Sequence, residues 1–176
     1  MIIYFLRHAS AGQSLSSPKK DEKRGLDDVG IQQCGDIGRA LLALDVPIDV
    51  IISSPLKRAA QTASLVGNEI GYEGKLQFDD ALRPGANFPA FRAMLQKYSK
   101  YDAVMVVGHN PNLSEFLGRV ISGAGCEASV DLRKGSVARV EMRRNSGRLD
   151  WCITPKLVRA IYAASADSSR PSTSRK

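Results

Sequence analysis

The chain has 176 residues, and 43% of them are hydrophobic, a proportion that suits one domain with a single core. Its formal net charge is +7, which favours an anionic substrate or partner. Aromatic residues make up only 6% of the chain and do not alternate with basic residues, as they would on a surface that stacks nucleic-acid bases. The composition therefore argues against a nucleic-acid partner and favours recognition of a small anionic group.

The three cysteines, Cys34, Cys126 and Cys152, are odd in number and lack the Cys-x-x-Cys spacing of zinc sites. We therefore expect neither a disulfide framework nor a zinc site, and we expect Cys34 to pack as a small hydrophobic residue. The first apolar run has only five residues before Arg7, too few for a signal peptide or a membrane span. These features predict a cytoplasmic monomer that binds neither membranes nor cofactors.

The first third of the chain reads as strand, loop, helix and strand. A continuous apolar run predicts a strand over residues 2–6 that is buried on both faces of a sheet. Residues 10–24 contain Gly, Ser and Pro and then several lysines, and we expect a mobile basic loop there. An apolar stripe predicts a helix over residues 28–44, and a second apolar run predicts a strand over residues 49–53.

Ser54 and Pro55 occupy the two positions that a helix start prefers, so the next helix is expected to begin there. Asn110 and Pro111 give the same signal for a helix that ends near Ser122. The remaining predicted elements are a short strand over 75–78, an amphipathic helix over 88–98, a strand over 103–107, a hairpin of residues 136–142 and 148–153, and a helix over 155–164.

The alternation of strands and helices predicts an α/β fold, a three-layer sandwich in which helices flank a mostly parallel central sheet. We expect a single domain over residues 1–164. Residues 165–176 are rich in serine and basic residues, and we expect them to form a disordered tail.

The chain contains only two histidines, and both follow a predicted strand. His8 comes directly after the first strand and Arg7, and His109 comes after the strand over residues 103–107. Arg58 lies shortly after another strand. Because ligands gather at the C-terminal ends of parallel strands, these four side chains are expected to converge on one crevice.

This set of residues suits the transfer of a phosphoryl group. A histidine attacks phosphorus when one ring nitrogen is deprotonated and the other is held by a hydrogen bond. The three equatorial oxygens of the transferred group require positive donors, which Arg7 and Arg58 supply as planar forks and His109 supplies as an N–H group. Two histidines without a carboxylate at helical spacing make a poor metal cage, so we expect no metal.

Three stretches resemble the signatures of the histidine phosphatase (phosphoglycerate mutase-like) superfamily. They are Leu-Arg-His-Ala at residues 6–9, Ser-Ser-Pro-Leu-Lys-Arg-Ala-Ala-Gln-Thr at 53–62 and Val-Gly-His-Asn at 107–110. The resemblance implies a phosphoglycerate mutase-like fold. It also implies that His8 becomes phosphorylated, that Arg7, Arg58 and His109 bind the phosphoryl group, and that Ser14 contacts it.

Within that superfamily the chain is most similar to the SixA-type phosphohistidine phosphatases. The short length, residues 24–30 (Arg-Gly-Leu-Asp-Asp-Val-Gly) and residues 151–155 (Trp-Cys-Ile-Thr-Pro) carry this similarity. The similarity makes Arg24 a candidate substrate contact. In that family, members that act on sugar phosphates usually carry an acid before the second histidine, and other branches carry Asp or Glu directly after it. This chain has Leu-Arg-Pro-Gly at residues 82–85 and Asn110 at these places.

The missing acid favours cleavage of a P–N bond. A positioned acid speeds the departure of an alkoxide leaving group by about 10²–10⁴-fold, whereas an imidazole leaving group is readily protonated by solvent. The sequence therefore predicts a phosphatase that acts on protein phosphohistidine, with phosphoryl-carrier domains as partners. The short segment between Arg83 and Ala103 predicts little covering over the site, and the basic residues of 19–24 are expected to attract acidic partner surfaces.

Two alternatives remain open at this point. The first is a phosphatase of small phosphoesters in which Asp79, Asp80, Asp27 or Asp28 acts as the acid. The second is a phosphate-binding module without catalysis, because the Ala9 methyl group, which replaces the usual glycine, would crowd the pocket.

Overall fold

A computed structural model describes residues 1–123, 128–144 and 146–168, and it describes side chains as far as residue 165. Cys126 lies outside these residues. Strands and helices alternate along most of the chain. The strands are β1 (Ile2–Arg7), β2 (Val50–Ser53), β3 (Gln77–Phe78), β4 (Ala103–Gly108), β5 (Val137–Met142) and β6 (Gly147–Ile153). The helices are α1 (Pro18–Glu22), α2 (Asp28–Ala43), α3 (Lys57–Glu69), α4 (Phe88–Lys97), α5 (Asn112–Ser122) and α6 (Pro155–Ser168), with a 3₁₀ turn at Asp80–Leu82.

The strands form one sheet in the order β3-β2-β4-β1-β5-β6. β1, β2, β3 and β4 pair in parallel, whereas β5 runs antiparallel to both of its neighbours. The predicted α/β sandwich with a mostly parallel central sheet is therefore confirmed.

The sheet is buried on both faces, as the continuous apolar run of β1 predicts. Ile3 and Phe5 pack on one face in a core with Phe91 and Phe116 of α4 and α5. Tyr4, Leu6 and Cys34 belong to a second core on the other face, which α2, α3 and α6 cover. Successive side chains of a strand point to opposite faces, so one strand supports both layers and its end is firmly held.

Two helices start later than their sequence signals predict. α3 begins at Lys57, with Leu56 and not Ser54 at the N-cap position. α5 begins at Asn112, with Pro111 at the N-cap position, so Asn110 does not cap it. In both places the polar residue that the capping signal marks forms a hydrogen bond elsewhere, and these tertiary contacts override the local preference.

Two other segments differ from the predictions. Residues 10–24 do not form a simple loop, because α1 lies within them. α6 continues to Ser168, four residues beyond the predicted end of that helix, and residues 169–176 lie outside the described part of the chain. Among the described residues, no helix is long and apolar enough to cross a membrane.

Candidate active site

The register of β1 against β4 brings the two histidines together. Arg7 pairs with Gly108 in the parallel ladder, so His8 and His109 both follow the last paired residues of adjacent strands. The amide of His8 donates a hydrogen bond to the carbonyl of Gly108 at 3.0 Å. The two imidazole rings lie 4.9 Å apart between centroids, and both residues are buried. The two histidines therefore lie side by side at the ends of these strands.

The protonation state of His8 suits a nucleophile. Its Nδ1 lies 2.8 Å from the carbonyl oxygen of Ala9, which only accepts hydrogen bonds, so Nδ1 carries the proton. This tautomer leaves a lone pair on Nε2. Burial, more than the nearby charges of Arg58 and Arg7, lowers the pKa of His8 to about 4, so the ring is neutral at pH 7.

His109 is held by a residue that the sequence assigned to a helix cap. The Ser54 hydroxyl accepts a hydrogen bond from the amide of Leu56 at 3.4 Å, and its own proton is assigned to the bond of 2.9 Å with Nε2 of His109, so the single N–H of the neutral ring lies on Nδ1. Burial and then the neighbouring His8 and Arg58 lower the pKa of His109 to about 2. Ser54 therefore positions the second histidine and does not start the helix.

Arg58, the second residue of α3, reaches the site and meets an acidic residue there. Its Nη1 donates to the carbonyl oxygen of Asp21 at 3.0 Å and lies 3.3 Å from the Asp21 carboxylate. Arg24 also pairs with this carboxylate at 2.8 Å. The hydrogen bond from Arg24 is the main reason that the pKa of Asp21 falls to about 2, so Asp21 is ionised.

Arg7 is fixed from the opposite side. Its Nη1 donates to the carbonyl oxygen of Leu132 at 2.8 Å, and burial lowers its pKa from the usual value. A guanidinium nevertheless stays charged in a protein. Arg7 therefore brings one positive charge to the site, and Arg58 brings a second.

Three buried nitrogen atoms of this site have no hydrogen-bond partner among the described residues. They are Nε of Arg7, Nε of Arg58 and Nδ1 of His109. Buried polar groups are almost always paired, and one left unpaired costs about 1–3 kcal/mol. Three such atoms around one histidine match the donors that the three oxygens of a phosphoryl group require.

The motif residues that follow Arg58 hold the backbone beside His8. Thr62 accepts a hydrogen bond from the amide of Ala9 at 3.1 Å and donates to the carbonyl of Arg58 at 2.7 Å. The Ala9 side chain is fully buried in the core under α2 and α3. Its methyl group therefore packs in the core.

Asp27 and Gly30 fix the loop that leaves His8. Asp27 caps α2 through the amide of Gly30 at 2.7 Å and also accepts from the Ser10 hydroxyl and the Gly12 amide at 2.8 and 2.7 Å. A Cβ atom on Gly30 would lie 2.0 Å from the carbonyl oxygen of Ser10. Only glycine allows so close an approach.

The two further predicted substrate contacts lie in this same segment. Ser14 is exposed, and no hydrogen bond of its side chain occurs among the described residues. Arg24 is partly buried and donates to the carbonyl of Ala11 as well as to Asp21. Arg24 therefore holds this segment together, and its role and that of Ser14 as substrate contacts stay predictions.

The carboxylates that were candidate acids are engaged elsewhere. Burial raises the pKa of Asp27, but its hydrogen bonds from Gly30, Ser10 and Gly12 outweigh that effect and the net pKa is lowered. Asp79 accepts from the amide of Ala81 and pairs with Lys97. Asp80 pairs with Arg83, and Asp28 is an exposed residue of the first turn of α2.

The sequence missed Asp21, the one carboxylate whose charge acts on a site histidine in the described part of the chain. Ser17 and Pro18 are the signal that would have found its helix, since proline prefers the first turn. No group of three His, Cys, Asp or Glu side chains among the described residues is arranged to hold a metal ion.

Comparison with known proteins agrees with this geometry. Residues 3–84 match the model of the histidine phosphatase superfamily (branch 1). An uncharacterized protein of Picosynechococcus sp. is 32% identical over 126 residues, which cover 70% of this chain and 74% of that protein.

Solved structures share the fold over most of the chain. The protein histidine phosphatase SixA complexed with tungstate superposes with a TM-score of 0.79 at 23% identity and covers 89% of this chain and 98% of its own. The alpha-ribazole phosphatase from Shigella flexneri superposes with a TM-score of 0.68 at 18% identity, over 88% of this chain and 97% of its own. The same architecture therefore serves phosphatases with different substrates, and the substrate has to be argued from the site.

Proposed function

Because the chain belongs to the histidine phosphatase superfamily, and this membership supports phosphatase activity, we propose that it removes the phosphoryl group from phosphohistidine in proteins and needs no metal to do so. The observation that carries this proposal is the combination of a neutral His8 with its Nδ1 proton fixed and three unpartnered donors from Arg7, Arg58 and His109 around it. This combination suits nucleophilic attack on phosphorus more than any role in packing.

The reaction proceeds in two displacements. Nε2 of His8 attacks phosphorus, a P–Nε2 bond forms, and the bond from phosphorus to the leaving imidazole breaks while that imidazole takes a proton from solvent. Arg7, Arg58 and His109 donate hydrogen bonds to the equatorial oxygens, where the negative charge is spread. Water then attacks phosphorus, inorganic phosphate leaves, and His8 returns to its neutral form.

The state of the carboxylates supports a P–N substrate. Asp21 has a pKa of about 2 and Asp27 a lowered pKa, so both are ionised at pH 7 and neither has a proton to give. Without a positioned acid an alkoxide leaves about 10²–10⁴-fold more slowly, whereas the departure of an imidazole is slowed much less.

The surface around α1 supports a protein substrate. Lys19, Lys20 and Lys23 are exposed on or next to α1, and α4, in the segment between Arg83 and Ala103, packs into the core. We propose that these lysines attract acidic phosphoryl-carrier domains of two-component or phosphotransferase systems.

A substrate comparison tests the proposal. A phosphohistidine-carrying protein, p-nitrophenyl phosphate and a set of sugar phosphates are compared by kcat/KM, with the His8→Ala variant as a control for contaminating phosphatases. We expect kcat/KM for the phosphohistidine protein to exceed the values for the other substrates by about 100-fold. Phosphoesters should react more slowly by this factor because no acid is positioned to protonate their leaving group. A preference for a sugar phosphate would contradict the proposed substrate.

Ionic strength separates a protein substrate from a small one. Charge attraction between the lysines and an acidic domain weakens with salt, so added salt should lower kcat/KM more for a phosphorylated carrier protein than for phosphoramidate, a small P–N compound. Equal salt dependence for the two substrates would argue against docking through these lysines.

A further inference from the structure

Asn110, the residue after His109, uses both ends of its side chain within the protein. Its Nδ2 donates to the carbonyl oxygen of Leu132 at 2.9 Å, and its Oδ1 accepts from the Ser114 hydroxyl at 2.9 Å. The Ser114 hydroxyl in turn accepts from the amide of Leu132 at 3.0 Å. These three bonds fix the orientation of the amide, because a reversed Asn110 would place its oxygen against the Leu132 carbonyl.

The carbonyl that Asn110 holds is the same one that holds Arg7. The oxygen of Leu132 accepts from Nη1 of Arg7 at 2.8 Å as well as from Nδ2 of Asn110 at 2.9 Å. Leu132 is fully buried, so no water competes for this oxygen. A guanidinium is planar, and fixing Nη1 therefore also fixes the direction of the other N–H groups of Arg7.

We propose that Asn110 is a positioning residue for Arg7, and that it acts on the phosphoryl group only through the Leu132 carbonyl. Its amide does not ionise at any ordinary pH, so it takes no part in proton transfer. This inference rests on the proposed function, in which Arg7 binds the phosphoryl group.

The variant Asn110→Ala tests the proposal without adding a charge to the site. It removes the donor for the Leu132 carbonyl and the acceptor for the Ser114 hydroxyl. We expect the dissociation constant for inorganic phosphate to rise about tenfold, the effect of one lost hydrogen bond to a buried acceptor. With phosphoramidate as substrate, the loss should fall mainly in KM, because Arg7 binds the phosphoryl group before and during the reaction.

Ser114→Ala is the matched control. It removes two bonds of the same network, including the one to the amide of Leu132, but it keeps the donor from Asn110 to the Leu132 carbonyl. We expect a similar loss of thermal stability and a change of less than about threefold in phosphate affinity. Equal losses of affinity in the two variants would show that Asn110 is merely structural and would overturn the proposal.

A double-mutant cycle with Arg7→Gln decides whether Asn110 acts through Arg7. If it does, Asn110→Ala should change phosphate affinity by less than about twofold once Arg7 is replaced, because interacting residues are not additive. A full tenfold effect in the Arg7→Gln background would overturn the proposal. If Arg7→Gln alone left phosphate affinity unchanged, the proposed role of Arg7 would fail first, and the inference would fail with it.

Discussion

The floor of the site (residues 7–9, 108 and 109) and its rim (residues 10–24) are held by different forces. The floor follows the ends of β1 and β4, and buried backbone hydrogen bonds and the two cores fix it. The rim carries α1, which has no buried residue and which ion pairs of Asp21 and Glu22 hold against arginines. Packing and backbone hydrogen bonds therefore hold the floor in place, whereas ion pairs hold the rim.

Removing the nucleophile at the floor should have the largest effect. In His8→Ala the arginines and His109 still bind phosphate, but no Nε2 is present to attack phosphorus. We expect kcat to fall by roughly 10⁴–10⁶-fold, as when other nucleophiles are removed, with little change in phosphate affinity. Stopped assays with a phosphohistidine protein measure the rate, and a variant with full activity would contradict the assignment.

A methyl group on Gly30 should disturb the junction of floor and rim. In Gly30→Ala the new Cβ atom would lie 2.0 Å from the Ser10 carbonyl, so the loop after His8 must move. We expect a loss of about 1–3 kcal/mol in the free energy of unfolding, together with reduced activity.

Gly35→Ala in the same helix is its control, since the nearest atom to that Cβ is Arg39 Nη1 at 3.6 Å. It should be neutral or stabilise the protein by up to about 1 kcal/mol, because alanine favours a helix. Urea titrations measure both variants. Equal stability of Gly30→Ala and Gly35→Ala would show that the close approach of Gly30 to the Ser10 carbonyl does not limit the stability of the fold.

The buried floor predicts a specific pH dependence. Protonation of Nε2 blocks attack, so kcat/KM for p-nitrophenyl phosphate should stay constant down to about pH 5 and fall tenfold per pH unit below about 4. Both histidines have pKa values in the folded state below the ordinary 6.5, so the unfolded chain binds more protons. Folding stability is therefore full above about pH 6.5 and decreases as the pH falls toward 4.

Because the chain has only two histidines, NMR spectra of their ring protons report both directly. Neither ring of the free enzyme should titrate between pH 8 and pH 5. A titration of either histidine near pH 6.5 would mean that the floor is more open to water than its burial implies.

Replacing the rim carboxylate should have a smaller effect with the opposite sign. Asp21 competes with phosphate for Arg58, so Asp21→Asn should tighten phosphate binding about two- to fivefold, the value of a partly exposed ion pair. Glu22→Gln on the same helix is the control, since Glu22 pairs with the more exposed Arg83 and should change affinity less than twofold. Calorimetric titration with phosphate measures both, and weaker binding by Asp21→Asn would contradict this competition.

The sequence predicts the floor well because its cause is local. An apolar run that ends in Arg7 and His8, and another that ends before His109, leave few alternatives for where those side chains lie. The contacts of the rim could not be predicted from the sequence, because they join residues that lie far apart along the chain. Asp21 and Arg58 are 37 positions apart, and no local pattern signals their pairing.

The two wrong helix starts have the same cause. Ser54 and Asn110 satisfy capping preferences, but His109 and Leu132 offer them better partners in the folded chain. The local pattern could not show those partners, because they depend on how β2, β4 and the segment before β5 come together.

The central claim is that His8 carries the phosphoryl group during turnover, and rapid quenching tests it most directly. The enzyme is mixed with a phosphohistidine protein that bears a radiolabelled phosphoryl group, quenched in alkali within the first turnover, and digested for peptide mapping. The account predicts an acid-labile label on His8 and no label in His8→Ala. A label on any other residue, or release of phosphate by His8→Ala at the wild-type rate, would contradict it.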